Sequence, residues 1–176
     1  MGISVEHIQK LREATSCGVI ECKKALEEAG GDFNKAKDVL RQRGIELAQK
    51  KQTRTAKEGR VESYVHMGSK IATLVEVNCE TDFVAKNEDF CQFTKDLALH
   101  ITATSPKYIK KEEVPSEALK DTGKPEDFYK TYCLLEQGFV KDPSLSIKDY
   151  LNSLISKTGE NIVISRFIRY KVGEVD

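Results

Sequence analysis

Apolar positions in the first fifty residues recur at helical spacing. Val5, Ile8 and Leu11 form one stripe, and Thr15 to Gly18 interrupt it. A second helix carries Val19, Cys22, Leu26 and Ala29 on one face and stops at Gly30 and Gly31. Asp32 then predicts the N-cap of a third helix, with Phe33, Ala36, Val39 and Leu40 inward and Gly44 as its close. From Ala48 to Arg60 the apolar face disappears. This stretch reads as a short helix fraying into a basic linker that carries Lys50, Lys51, Arg54, Lys57 and Arg60.

Beyond residue 60 the period changes from helical to alternating. Val61 to His66, a turn at Met67 to Lys70, and Ile71 to Val77 predict a β-hairpin. In its second strand Ile71, Thr73, Val75 and Val77 oppose Ala72, Leu74 and Glu76, the mark of a half-buried strand. Asn78 and Glu80-Thr81-Asp82 break the apolar pattern and predict a polar corner leading into a helix, with Asp82 capping the first free amides. The next side chain, Phe83, has two readings. It is core, as most Phe residues are, or it is an apolar wedge standing beside a carboxylate.

The helix that follows aligns Phe90, Phe93, Leu97, Ala98 and Ile101, and Ser105-Pro106 ends it. Residues 107–124 read mostly as loop, punctuated by Pro115 and Gly123, and helices are predicted around Phe128 to Gln137 and Ile147 to Ile155. The last strand, Ile162 to Val172, sets Ile162, Ile164, Ile168 and Tyr170 on one side against Val163 and Phe167 on the other. Paired with the hairpin it makes a three-stranded antiparallel sheet with helices on one face, so the expected class is α+β. The expected organisation is a three-helix domain over 1–47, a basic linker over 48–60 and an α+β core domain over 61–176.

A chain of 176 residues suffices for one respectable core and a small satellite. With 28 Lys and Arg against 28 Asp and Glu, no global field draws it to nucleic acid or to an acidic membrane. The basic stretch 48–60 lacks the interleaved aromatic platform of a single-strand RNA binder and reads as solvated. The segment Met1 to Glu6 has no basic region leading into an apolar run, and no stretch approaches the roughly 20 apolar residues of a membrane span, so a soluble intracellular protein is expected. The five cysteines (17, 22, 79, 91 and 133) and three histidines (7, 66 and 100) have no zinc-site spacing. Reduced thiols are expected, with Cys22, Cys79 and Cys91 buried, and neither metal nor cofactor is expected. There is no nucleophile–base set and no phosphate-binding glycine loop, so a chemical step is not expected either.

The run Glu76-Val77-Asn78-Cys79-Glu80-Thr81-Asp82-Phe83-Val84-Ala85-Lys86 is similar to the signature of the elongation factor Ts family. The stretch Leu11 to Leu26 resembles that family's first domain, and Arg166 to Glu174 resembles its closing strand. The three blocks keep the family's order and span nearly the whole chain. The three N-terminal helices also resemble the ubiquitin-associated bundle, a binding module in many settings, so a non-catalytic adaptor is the alternative reading.

The resemblance implies guanine-nucleotide exchange on the translational GTPase elongation factor Tu, with the corner Thr81-Asp82-Phe83-Val84 entering the partner's nucleotide domain beside its magnesium site. Arg12, Val19, Ile20 and Lys23 match family positions that contact that domain. Val19 and Ile20 stand where Met is common, and Val19 also suits the core face. His66, in Tyr64-Val65-His66, matches a strand position of longer members that touches another domain of elongation factor Tu. Its other reading is a half-exposed strand residue. Only one hairpin–corner–helix unit is present, which resembles the short form of the family, in which two chains pair. A homodimer is therefore implied, located in a bacterial cytoplasm or in the matrix or stroma of a bacterium-derived organelle.

Overall fold

The computed structural model describes residues 3–15, 17–120 and 123–174. Ser16 of the expected break, two residues of the 107–124 loop and both chain ends lie outside the described residues. Helices α1 (Val5–Thr15), α2 (Val19–Glu28) and α3 (Phe33–Lys51) enclose a small core of Leu11, Cys22, Ala25, Leu26, Ala36 and Leu40. Asp32 caps α3 as expected, its side chain accepting from the amides of Asn34 and Lys35. Val5 and Val19 do not join this core; both are solvent-facing. A stripe written at helical spacing runs past the end of the contact it serves.

Gly44 does not close α3. It is buried where α3 crosses α7 (Ile147–Thr158), and the helix continues because Ala48 reaches the larger core. Tertiary contact outweighs the roughly 1 kcal/mol helix cost of a glycine. The segment expected as linker over 48–60 therefore shrinks to 52–57. Lys50 and Lys51 belong to the last turn of α3, while Arg60 lies in strand β1 (Glu58–Val65).

Strands β1, β2 (Ile71–Cys79) and β5 (Val163–Lys171) form an antiparallel sheet in the order β1-β2-β5. Gly59 near the start of β1 has φ +146°, and a Cβ there would collide with the Val77 carbonyl oxygen, so only glycine permits that crossing. The inner face of the sheet supplies Val75, Val77 and Cys79. Helix α5 (Glu88–Thr104) covers it with Phe90, Phe93, Leu97, Ala98 and Ile101, and α7 adds Ile147, Leu154 and Ile155.

The last strand departs from simple alternation. Glu76 pairs with Arg166 but Val77 pairs with Ile164, so Ser165 is an extra residue in β5. One inserted residue exchanges the two faces. Ile162 and Ile164 are buried under the helices, whereas Ile168 and Tyr170 point away from them and Phe167 packs inward. The four residues expected to share one side are thus divided by the bulge.

Between α5 and α7 the predicted helix over 128–137 is shorter. Helix α6 (Pro125–Tyr132) stops because Cys133 takes extended backbone and bridges Tyr108, with the Leu134 and Leu135 amides bonding the carbonyls of Tyr108 and Ile109. A small hairpin of β3 (Gly138–Phe139) and β4 (Asp142–Ser146) follows, too short to carry a period in the sequence.

This region is fastened to α5 by His100, which is fully buried. Its Nδ1 accepts from the Val140 amide at 3.2 Å, and its Nε2 lies 3.0 Å from Gln137 Oε1. Accepting at one nitrogen and donating at the other requires the neutral ring. Burial pushes the His100 pKa below its ordinary value, opposed in part by the Gln137 hydrogen bond. The unfolded chain therefore takes up this proton more readily than the folded chain. The stability it confers is complete above the unfolded value of about 6.5 and is lost as pH falls below it. Thermal melts are expected to show Tm falling between about pH 6.5 and pH 5, and His100→Gln should flatten that part of the profile. An equally steep fall in the variant would exclude His100 as the source.

Candidate functional site

The end of β2 delivers the chain into a corner at residues 80–81, and a single helical turn, α4 (Asp82–Ala85), begins there. Thr81, not Asp82, is the cap. It sits in extended backbone, and its Oγ1 accepts from the Val84 amide at 3.4 Å. Asp82 occupies the first helical position, and Lys86 Nζ donates to its Oδ2 at 2.6 Å. That ammonium holds the Asp82 carboxyl below the ordinary Asp range, first through the hydrogen bond and then through its charge, while Asp82 in turn raises Lys86.

Phe83 projects into solvent with 82% of its surface exposed, so it is not a core residue. Behind it Val84 and Ala85 pack onto the main core, and Asn87 caps α5 through the Asp89 amide. The corner is a fixed polar frame carrying one large exposed aromatic ring. A singly exposed apolar side chain is ordinary on a protein surface, so it is the ring's position at the tip of this fixed frame that makes it a candidate contact.

The corner is tied from beneath. Cys79, fully buried, donates its thiol to the Thr81 carbonyl at 3.1 Å. Burial, helped by the nearby Glu160 charge, pushes the Cys79 pKa up to about 11, so it remains a protonated donor. From the turn after α7, Glu160 accepts from the amides of Glu80 and Thr81 and from the Thr81 hydroxyl. Nothing in the local sequence signals a contact across some eighty residues. The Asp82–Lys86 pair, by contrast, has the i,i+4 spacing of a legible helix-surface pair.

The remaining candidate residues form two further groups. Arg12, Val19, Ile20 and Lys23 are all exposed on α1 and α2, with Val19 at 52% and Ile20 at 69%. Arg12 and Val19 line a shallow concavity of about 380 Å³ with Leu47, Ser156 and Lys157. Lys157 also pairs with Asp89 at 2.7 Å, which links this concavity to the first turn of α5 just beyond the corner. His66 stands elsewhere. It closes the hairpin turn through its backbone, is exposed, and lies 3.5 Å from the Tyr64 hydroxyl. Strand β2 separates it from the corner by about 25 Å, so within one chain the two do not meet.

Cys91 is only half-buried and accepts from Arg60 at 2.7 Å, whereas Cys133 joins Cys22 and Cys79 as buried. All five thiols are free. Among the described residues, no cluster of His, Cys, Asp and Glu has the geometry of a metal site, and no helix is long and apolar enough to cross a membrane.

Comparison with known proteins gives a consistent result. A family model described as elongation factor TS matches residues 34–124 and 121–174. A protein named elongation factor Ts from Thermodesulfovibrio yellowstonii is 45% identical over 196 positions, covering 99% of this chain and 98% of its own. One of the same name from Caldanaerobacter subterraneus is 48% identical over 195 positions, covering 98% of each chain. One from Geobacter sulfurreducens is 46% identical over 197 positions, covering 99% of this chain and 91% of its own. These alignments run over more positions than the 176 residues here, so the relatives carry a stretch this chain lacks. The two family-model segments overlap at residues 121–124.

Proposed function

This chain belongs to the elongation factor Ts family and is a translation elongation factor, and on that premise we propose that it is a guanine-nucleotide exchange factor for elongation factor Tu. The observation that carries the reading is the exposure of Phe83 on a capped corner. A ring held in water by a rigid frame has apolar area available for a partner, worth about 1.5 to 3 kcal/mol when buried. Asp82, released from Lys86, then faces the cation and phosphates of the bound nucleotide. Magnesium bridges phosphate oxygens to protein ligands, so disturbing its coordination loosens GDP.

Exchange of this kind needs no catalytic acid or nucleophile. It needs preferential binding to the nucleotide-free partner, and by reciprocity GDP must weaken this chain's own binding by the same factor. A thousandfold acceleration of release requires about 4 kcal/mol of differential stabilisation. Phe83 supplies part of that. The patch of Arg12, Val19, Ile20 and Lys23 supplies the second grip, and the concavity that Lys157 lines lies between the two. An adaptor acting through its helices alone would leave the Phe83 corner without a role.

The reading includes a homodimer paired through the outer face of the sheet. There Val61, Val65, Leu74, Val163, Ile168 and Tyr170 are all exposed. A twofold pairing of two such faces is self-complementary, and with its axis across the strands it brings the corner end of one sheet toward the hairpin end, with His66, of the other. The bacterial relatives favour action in a bacterial cytoplasm. The reading keeps a three-helix domain over 1–47 and an α+β domain over 61–176, and the presence of two hydrophobic clusters supports it.

The test is direct. Substoichiometric amounts of this protein are expected to accelerate release of labelled GDP from elongation factor Tu without hydrolysing GTP themselves. An unchanged release rate would sink the assignment.

A further inference from the structure

Glu160 lies between the glycine that ends α7, Gly159 with φ +74°, and the start of β5. Three donors of the corner converge on its carboxylate: the Glu80 amide at 3.0 Å, the Thr81 amide at 3.1 Å and the Thr81 hydroxyl at 2.6 Å. The contact is reciprocated. Glu80 Oε1 accepts from the Asn161 amide at 2.6 Å and pairs with Arg54 Nη1 at 3.5 Å. Asn161 Nδ2 donates to the Arg54 carbonyl at 2.7 Å, and Lys51 Nζ donates to the Gly159 carbonyl. The turn 159–161, the corner 80–81 and the segment leaving α3 form one clasp.

We propose that Glu160 is a positioning residue for nucleotide exchange, holding Thr81 so that Phe83 is presented in its engaging orientation before the partner arrives. This rests on the exchange reading above. Thr81 has one hydroxyl proton. By giving it to Glu160 Oε1, the oxygen turns its lone pairs toward the Val84 amide and acts as the cap. The single turn of α4 is too short to sustain itself. Its rear is anchored by Val84 and Ala85 in the core, and its front depends on the cap. Without Glu160 the hydroxyl rotates freely, the two amides turn to water, and the corner must be ordered at the moment of binding. That cost is subtracted from the engagement of Phe83. The patch on α1 and α2 is untouched by the loss, so docking survives while the wedging step slows.

The experiment compares wild type, Glu160→Ala and Glu160→Gln in GDP release from elongation factor Tu across a range of exchange-factor concentrations. Melting temperatures and amide hydrogen exchange of the free proteins are measured alongside. Glu160→Ala is expected to lower the maximal rate about tenfold while the half-saturating concentration changes less than about threefold. Its amides at 84–86 are expected to exchange faster. Glu160→Gln, which keeps one acceptor oxygen, should fall between it and wild type, and it carries the test if the Ala variant does not fold. Wild-type acceleration matched by Glu160→Ala, a loss confined to half-saturation, or unaltered amide exchange at 84–86 would each overturn the positioning role alone. A wild-type chain that leaves GDP release unchanged would overturn the exchange reading and the role of Glu160 with it.

Discussion

Replacing Phe83 by Ala is expected to lower the maximal rate of GDP release from elongation factor Tu by about ten- to a hundredfold while leaving the fold intact. The magnitude follows from the ring's transfer from water into a partner pocket, about 1.5 to 3 kcal/mol, at about 1.4 kcal/mol per factor of ten. The absence of a stability penalty follows from its exposure, since with 82% of its surface in solvent the ring contributes little to the core. A surface change of this kind shifts stability by about 0.5 kcal/mol at most, or about 2 °C in Tm for a chain of this size. A buried Phe would instead cost about 3 to 5 kcal/mol. Rate and melting temperature therefore separate the two roles a Phe at this corner can have. Asp82→Ala is expected to act more weakly. Its carboxylate is already paired with Lys86 in water, where solvent screens the interaction. A Phe83→Ala variant that exchanges at the wild-type rate would remove the wedge from the mechanism.

Leu74→Asp is expected to convert a dimer of twice 19.8 kDa into a monomer of that mass. Leu74 lies on the central strand, 47% exposed, with Ile168 opposite it on β5 at 43%. If this face is buried against its twofold copy, a carboxylate at 74 must be desolvated, and the nearest cation on that face, Arg166, is already engaged by Glu76. That costs several kcal/mol, and about 4 kcal/mol is roughly a thousandfold in dissociation constant. In the isolated chain the same residue remains in water, so the fold should be retained. Light scattering at micromolar concentration reads the mass directly. A wild-type chain that is already monomeric would exclude the dimer while leaving the exchange reading to its own assay. The bulge at Ser165 matters to the choice of residue. Ile162 and Ile164 lie under the helices and would report on the core, not on the outer face.

The main elements and their order follow from the sequence alone, the short β3–β4 hairpin excepted. Three N-terminal helices, a hairpin, a corner, a long covering helix and a closing strand are all legible because helices and strands impress periods of 3.6 and 2 on the residues that face a core. It also located the corner, since a polar run after a half-buried strand has few other uses. Tertiary structure decided what each face meets. Whether Val19 and Phe83 are core or surface depends on where neighbouring elements end, and periodicity carries no such information. Gly44 reads as a helix stop but lies inside α3, because contact with α7 outweighs a local preference of about 1 kcal/mol. Ser165 reads as one more alternating position, yet its insertion as a bulge reverses the rest of β5. Asp82 and Thr81 are both competent caps by residue type. The choice fell to Thr81 because Glu160, some eighty residues away in the chain, takes its hydroxyl proton and leaves its lone pairs facing the helix. Local pattern specifies a surface, and only the folded chain brings together the distant groups that orient it.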